Sequence, residues 1–492
     1  MALKLIYSDL AIGAADDAEV VTTPAEGFSS PGVLPFGVSS GTVPTCEPNA
    51  WGLDGNHTPI GSQQFAFWST ELSGDNGVFA TPPHIEIAFD EKYTASGLAF
   101  RFAPGVNEWC SQISVIWYQG GVEKDSGVFF PSSSVYPLEN AVEGFDGISI
   151  YFEKTNLPNR RVKLEYIGIG IVREFDGTEL TSVKAIHEID MLSDAVPANV
   201  LDASFHVETK ADIIFQKKQP VEAYDGEHLV GVYYIEKGER HSGQNYSISC
   251  HDAVGVLELD TYDGGIWLED TDVSVIAADV VGDTFEVEFA PELVGRTLRG
   301  LILPDITRRE ALQHIAFALG ACVDTSGSKK IKMFRPKTGT GVEIPASETY
   351  TGGKVTTSDI VTQIAVEGYD IADREPTWED DVIEFKGKTY ECVTTRVFAH
   401  NPDIAVGTLE NRIAYEGCYL LSGDMAQERA DAIMQYHMRR NVYSAKHVYS
   451  GQNLGDRSTV TMPWGDVADA NVLKMTFTMS GITASETEFL LD

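Results

Sequence analysis

The sequence predicts a mainly β protein of several domains. A jelly-roll-like antiparallel β-sandwich lies near the N-terminus, and further β domains carrying two short helices follow. Three observations predict it. Apolar and polar residues alternate over much of the chain, and turn residues break the alternation at short spacing. Aromatic and turn-forming residues are abundant, with 45 Gly, 19 Tyr and 23 Phe, which suits pleated strands joined by tight turns. The chain has 492 residues, and since single cores stop growing at roughly 250–300 residues, about two to four domains are expected.

Residues 3–7 form one strand. The stretch PAEGFSSPGVLPFGVSSGTVPT that follows is rich in Gly, Pro, Ser and Thr, so residues 1–60 read as a strand and an extended arm that gains little by folding alone. Residues 61–178 form the sandwich. Ile85, Ile87 and Phe89 point one way, as do Leu98, Phe100 and Phe102. Ile113, Val115 and Trp117 alternate with Ser114, Ile116 and Tyr118, and the runs Ile148, Ile150, Phe152 and Ile167, Ile169, Ile171 close the set. Successive strands of this kind with turns between them make an antiparallel sandwich.

Residues 179–300 continue as strands, in SVKAIHEIDML, ASFHVETK, GVYYIEKGER, NYSISCHDAVGVLEL and TFEVEFAP. Residues 301–375 open with a helix. Thr307 to Glu310 has the spacing of a capping box, Leu312, Ile315, Ala316 and Leu319 form one apolar stripe, and Gly320 suits the position just past the helix end. A basic strand, KKIKMFRPK, follows. In residues 376–492 a second helix runs from near Asp424 to Arg440, with Asp424 as its cap, Gln427 as the answering residue and Ala430, Ile433, Met434 and His437 as its stripe. Closing strands complete the chain. There is no internal repeat of fixed period.

The net charge is −37, from 73 acids against 36 bases. That balance opposes a sequence-independent grip on nucleic acid, which needs cations to neutralise phosphates, and opposes docking on an anionic membrane. It suits a solvated surface, or a pore wall past which nucleic acid slides. The six cysteines, Cys46, Cys110, Cys250, Cys322, Cys392 and Cys418, lack CxxC or zinc-finger spacing and read as small buried hydrophobes. The sequence shows no signal-peptide pattern and no apolar stretch of membrane-spanning length.

Chemical motifs are present but lack the context they need. Gly37-Val38-Ser39-Ser40-Gly41 matches a nucleophile elbow, which works only between a strand and a helix, and no helix follows. Cys250, His251 and Asp252 are consecutive, so in a strand they point to opposite faces and cannot form a triad. Asp252 then caps a turn. His187, Glu188 and Asp190 lack the spacing of a zinc motif, and Glu379-Asp380-Asp381 lacks that of a calcium loop. No metal or cofactor is expected. Trp68, Trp109, Trp117 and Tyr118 offer either a sugar-stacking surface or core packing. The cations Lys329, Lys330, Lys332, Arg335 and Lys337 stand out against the acidic background. They can be simply exposed, pair with acids of a neighbouring subunit or partner, or touch phosphate.

Beyond residue 180 the order AIHEIDMLSDAVPANVLDASFHVE, then FQKKQPVEAYDGEHLVGVYYIEKGERHSGQNYSISCHDAVGVLE, resembles the first barrel of the tail hub proteins, or baseplate hub (tail-associated) proteins, of phages and related injection systems. Phe215, Gln216, Pro220, Val221, Gly231, Tyr234, Ile235, Asp252, Gly255 and Leu257 stand at the pattern positions. The helix TRREALQHIAFALGACV resembles the family's small α/β piece, and residues 416–465 resemble its last domain, where Gly451, Gly455 and Asp456 fit the closing turn. Ser458 departs from the pattern, since an apolar residue is common there.

The resemblance covers residues 180–492 and implies two hub β-barrels, at 179–300 and 376–492, with the α/β piece at 301–375 between them. It implies a non-enzymatic homotrimer that forms a ring continuing the tail tube at a tail tip or baseplate. Implied partners are a distal tail or tail tube protein, a tape measure protein, and a tail fibre or receptor-binding protein, while DNA passes the channel without specific binding. The implied place is the virion, after synthesis in the bacterial host cytoplasm, without membrane insertion. Residues 61–178 resemble a galactose-binding-type jelly roll attached to such hubs. The competing expectation is a carbohydrate-binding surface or adhesion protein that acts through the sandwich. A cell-wall hydrolase would need convergent titratable groups, which the sequence lacks.

Overall fold

The structure is a computed structural model, and it describes residues 3–11, 14–23, 47, 66–102, 107–207, 215, 217–339, 341–378, 380–404, 409–449, 451–480 and 482–492. Most of the arm, the Gly37–Gly41 motif, Cys46, Gln216 and Glu379 lie outside these residues. The chain is mainly β, as expected. It divides into two compact units, one of residues Ile6–Glu174 and one of Met1–Leu5 with Phe175–Asp492.

In the first unit, two long strands, His84–Phe102 and Val135–Thr155, organise the fold. Their pairing shifts register at residues 88–97, so each strand bends and serves two ladders. One ladder runs through Val122–Phe129, Cys110–Gln119, residues 147–155, residues 84–88 and Glu19–Thr22. The other runs through residues 135–138, residues 98–102, Lys163–Asp176 and Phe67–Trp68. Both send their alternate side chains into one core, in which Ile85, Ile113, Ile150, Leu98, Phe102 and Ile167 are buried. The period-two pattern read from the sequence is therefore the packing pattern of two facing layers. The short helix α1 (Ala14–Asp17) seats Ala14 against the same core.

In the second unit one continuous antiparallel ladder runs through Lys354–Thr357, Asn441–Val448, Ile482–Leu491, Val467–Ser480, Leu180–Glu188, Val200–His206, Asn245–His251, His228–Arg240 and Pro220–Asp225. The strands expected in two successive barrels thus meet in one sheet, with Lys184 to Glu188 paired against residues 474–478. Sequence-distant strands pair across residues 300 and 375. A second sheet orders Val382–Phe385, Lys388–His400, Gln363–Ala372 and Arg412–Tyr415.

Among the described residues, four helices belong to this unit: α2 (Ala253–Leu257), α3 (Val273–Val281), α4 (Arg308–Leu319) and α5 (Ala426–Met438). Helix α4 has the predicted capping box, with the Thr307 hydroxyl accepting from the Glu310 amide, and Gly320 ends it in the left-handed region at φ 59°. Helix α5 corrects an expectation: it starts after Met425 without a side-chain cap, and Gln427 donates to Asp431 instead. Helices α2 and α3 were not expected: α2 lies in a piece read as a strand and turn, and α3 in a region read as β. All five residues of α2 are buried, and in α3 Val273, Ile276, Ala277 and Val280 form one face buried with α4 and α5 in one shared core.

Candidate functional site

The aromatic residues singled out in the sandwich do not form a platform. Trp68 and Trp117 are each 1 % exposed, with Lys163 Nζ over the Trp68 ring and the Phe129 ring edge-on to Trp117. Trp109 is half-buried and donates from its indole nitrogen to the Pro131 carbonyl, 3.0 Å away. Tyr118 follows Trp117 in the same strand and so faces the other way. The cavity beside Trp109 and Lys163 measures about 10 Å³, room for a water rather than a sugar ring. The rings of Trp68 and Trp117 are buried.

A buried ion cluster adjoins them. Glu108 accepts from Arg160 Nε and Lys163 Nζ, both at 2.6 Å, and Lys163 also reaches Glu47 at 3.1 Å. Each charge is matched inside the cluster, which is the condition for keeping charges out of water.

The basic strand finds its partners within the chain. Lys329 pairs with Glu222, Lys330 with Glu286, Lys332 with Asp324 and Lys337 with Asp456. Arg335 donates to the Leu319 carbonyl at 3.0 Å. Most of these pairs are exposed and contribute little singly. Lys332–Asp324 differs, since the Asp324 side chain is 1 % exposed.

That pair belongs to a buried polar joint. Asp252 caps α2 by accepting from the Gly255 amide at 3.0 Å, and its other oxygen accepts from the Asn199 amide at 2.9 Å and the Thr325 hydroxyl at 2.5 Å. Burial pushes the Asp252 carboxyl up to about 6, against the pull of these hydrogen bonds. Asn199 donates to Thr325 at 2.9 Å, and Ser326 donates to Asp324. His187 Nε2 lies 2.5 Å from the Tyr233 hydroxyl, and burial holds this imidazole down at about 4, neutral at physiological pH. The joint fastens residues 324–332 to the large ladder.

The sequence motifs resolve accordingly. Cys250 is buried, which raises its thiol pKa, and Asp252 turns to the α2 amide, so the three consecutive residues converge on nothing. Glu188 pairs with Lys474, and Asp190 accepts from the Leu192 and Ala195 amides. Among the described residues no group of His, Cys, Asp and Glu could hold a metal, and no helix is long and apolar enough to cross a membrane. The five described cysteines are buried and free. Asn199, Asp324 and Thr325 were not singled out by the sequence, since nothing local marks them.

The hub-pattern residues take defined places. Phe215 stacks on Phe205 with ring centroids 5.6 Å apart. Pro220 and Val221 open a strand whose partners are Tyr234 and Tyr233, and Ile235 pairs with Cys250. A Cβ on Gly255 would stand 2.6 Å from the His251 ring, so α2 can follow its strand this tightly only with glycine. Gly455 has φ +75° and approaches the Phe334 ring, while Asp456 accepts from the Asn453 amide at 3.1 Å and closes the turn.

No protein-family model matches the chain, and no curated protein matches it. Comparison with solved structures does find similarities. Several of the similar structures are tail proteins. A tail protein from Neisseria meningitidis is similar at TM-score 0.48 and 12% identity, over 65% of this chain and 94% of that one. The 43 kDa tail protein of prophage MuSo2 from Shewanella oneidensis is similar at TM-score 0.45 and 12% identity, over 65% and 95%. Prophage tail protein gp18 from Listeria monocytogenes is similar at TM-score 0.43 and 10% identity, over 64% and 91%.

Proposed function

We propose that the chain is a structural subunit of a phage-type tail tip or baseplate hub, working as a homotrimer whose ring continues the tail tube. The observation that carries this reading is the placement of the hub-pattern residues. Pro220, Val221, Gly231, Tyr234 and Ile235 lie in adjacent ladder strands, Asp252 and Gly255 make the tight strand-to-helix corner, and the Gly455–Asp456 turn closes on the same sheet through Gly455 N to Val472 O. A sequence pattern that maps onto one ladder and its two corners supports the fold that the pattern belongs to. The work is then mechanical: holding tube to tip and seating fibre or receptor-binding proteins, by strand pairing at sheet edges. The acidic balance of 73 acids to 36 bases supports a channel wall that lets DNA pass without sticking. The mass of the purified protein in solution, with negative-stain images of the same sample, tests the reading. A three-fold ring with a central channel is the expected result, and a monomer that stays monomeric beside a tail tube protein would overturn it.

A further inference from the structure

The second unit contains a cavity of about 820 Å³ whose lining includes Arg296, Arg335, Arg429 and Arg439, with Glu428 as its one carboxylate. This concentration of cations is unusual in a chain of net charge −37. Arg429 projects from α5 and is 6 % exposed. One of its terminal nitrogens donates to the Leu192 carbonyl, its guanidinium lies over the Phe317 ring, and its Nε is buried without a hydrogen-bond partner. No carboxylate pairs with it among the described residues. A buried guanidinium of this kind has desolvation to offset. Arg296 stands exposed at the rim, also without an ion pair among the described residues. Arg335 and Arg439 are held in place by the carbonyls of Leu319 and Leu490, and Arg439 also meets Asp492. Leu192 and Leu319 contribute apolar wall between the cations.

We propose that this cavity receives an acidic, amphipathic peptide segment of a partner protein, with carboxylates taken by Arg296 and Arg429 and apolar side chains seated on Leu192 and Leu319. Guanidinium forks match carboxylates in two-point geometry, and the apolar wall would go unused by an inorganic ion. A long polyanion such as nucleic acid also meets the chain's overall charge of −37, whereas a short segment places its charges within the cavity, where screening is weak. The inference rests on the cavity alone, whatever assembly the chain serves.

The test uses the full chain and a fluorescein-labelled six-residue peptide of alternating Glu and Leu, followed by anisotropy, with Gln in place of Glu as the control peptide. The Glu peptide is expected to bind at least about tenfold more tightly than the Gln peptide, a difference of ~1.4 kcal/mol. Arg296→Glu, at an exposed position, should weaken binding by about tenfold, while Lys354→Glu, the same charge change on an edge strand, should leave it unchanged. Equal weakening by both variants would reduce the effect to overall charge and overturn the site. So would equal binding of the two peptides, full displacement by inorganic phosphate at millimolar concentration, or no binding of the Glu peptide.

Discussion

Ser458 is 0 % exposed and its hydroxyl has no hydrogen-bond partner among the described residues, at the position where the hub pattern favours an apolar residue. A buried hydroxyl without a partner costs about 1–3 kcal/mol. Ser458→Ala removes it and leaves almost the same volume, so a gain on the order of 1 kcal/mol is expected in urea unfolding. His187 gives a prediction with a sign. Its folded pKa of about 4 lies below the ordinary imidazole value near 6.5, so its contribution is complete above pH 6.5 and is lost as pH falls toward 4. The loss is on the order of 3 kcal/mol. Asp252 works in the opposite sense, since its folded value of about 6 lies above the ordinary range, and its contribution is present at acid pH and lost as pH rises through 6. His187→Phe keeps a ring against Phe477 and removes only the first titration. Relative to that variant, the wild type should lose stability between pH 7 and 4.5, and parallel curves would rule the buried imidazole out. The sequence made Asp252 legible as a cap, because Asp before a short apolar run is a local signal. Its partners Asn199 and Thr325 were not legible, since they lie 53 and 73 residues away.

At the scale of the element, α4 shows how local chemistry writes itself into a sequence. Its capping box, stripe and terminal glycine all sit within residues 307–320. Gly320 holds φ 59°, and a Cβ there would stand 3.1 Å from Arg429. Gly320→Ala should therefore destabilise by roughly 1–2 kcal/mol in chemical denaturation, and Gly320→Asn by less, since Asn tolerates the left-handed region. Helix α3 was missed for a physical reason. Val273, Ile276, Val280 and Val281 are β-branched and favour strands by intrinsic preference. The helix forms because Asp272 caps it by accepting from the Ser274 amide and because burial against α4 outweighs propensity. The i, i+3, i+4, i+7 spacing was present and would have found it. Helix α5 shows the reverse: Asp424 had the right residue type, but the helix starts one residue later without a side-chain cap.

At the scale of the molecule, the two units have separate cores. The sequence could not show that residues 180–251 and 441–491 share one sheet, because alternation reports that a strand exists and is silent on its neighbour. A consequence can be measured. A fragment of residues 6–174 should unfold cooperatively in urea, whereas a fragment of residues 175–440 should not, having lost the strands that flank Leu180–Glu188 and Lys354–Thr357. Cooperative unfolding of the shorter-cored fragment would contradict the single ladder. The pairing of Leu180–Glu188 with Val467–Ser480 also bears on how the protein is made. Emerging from a ribosome at roughly 5–20 residues per second, the N-terminal unit can finish folding early. The strand at 180–188 must wait for almost 300 further residues before its partner exists, since Met479 pairs with Val183 and 479 − 183 = 296. During that interval its edge is open to any other strand, so crowded synthesis, rather than the finished protein, is where this chain is most exposed to mispairing.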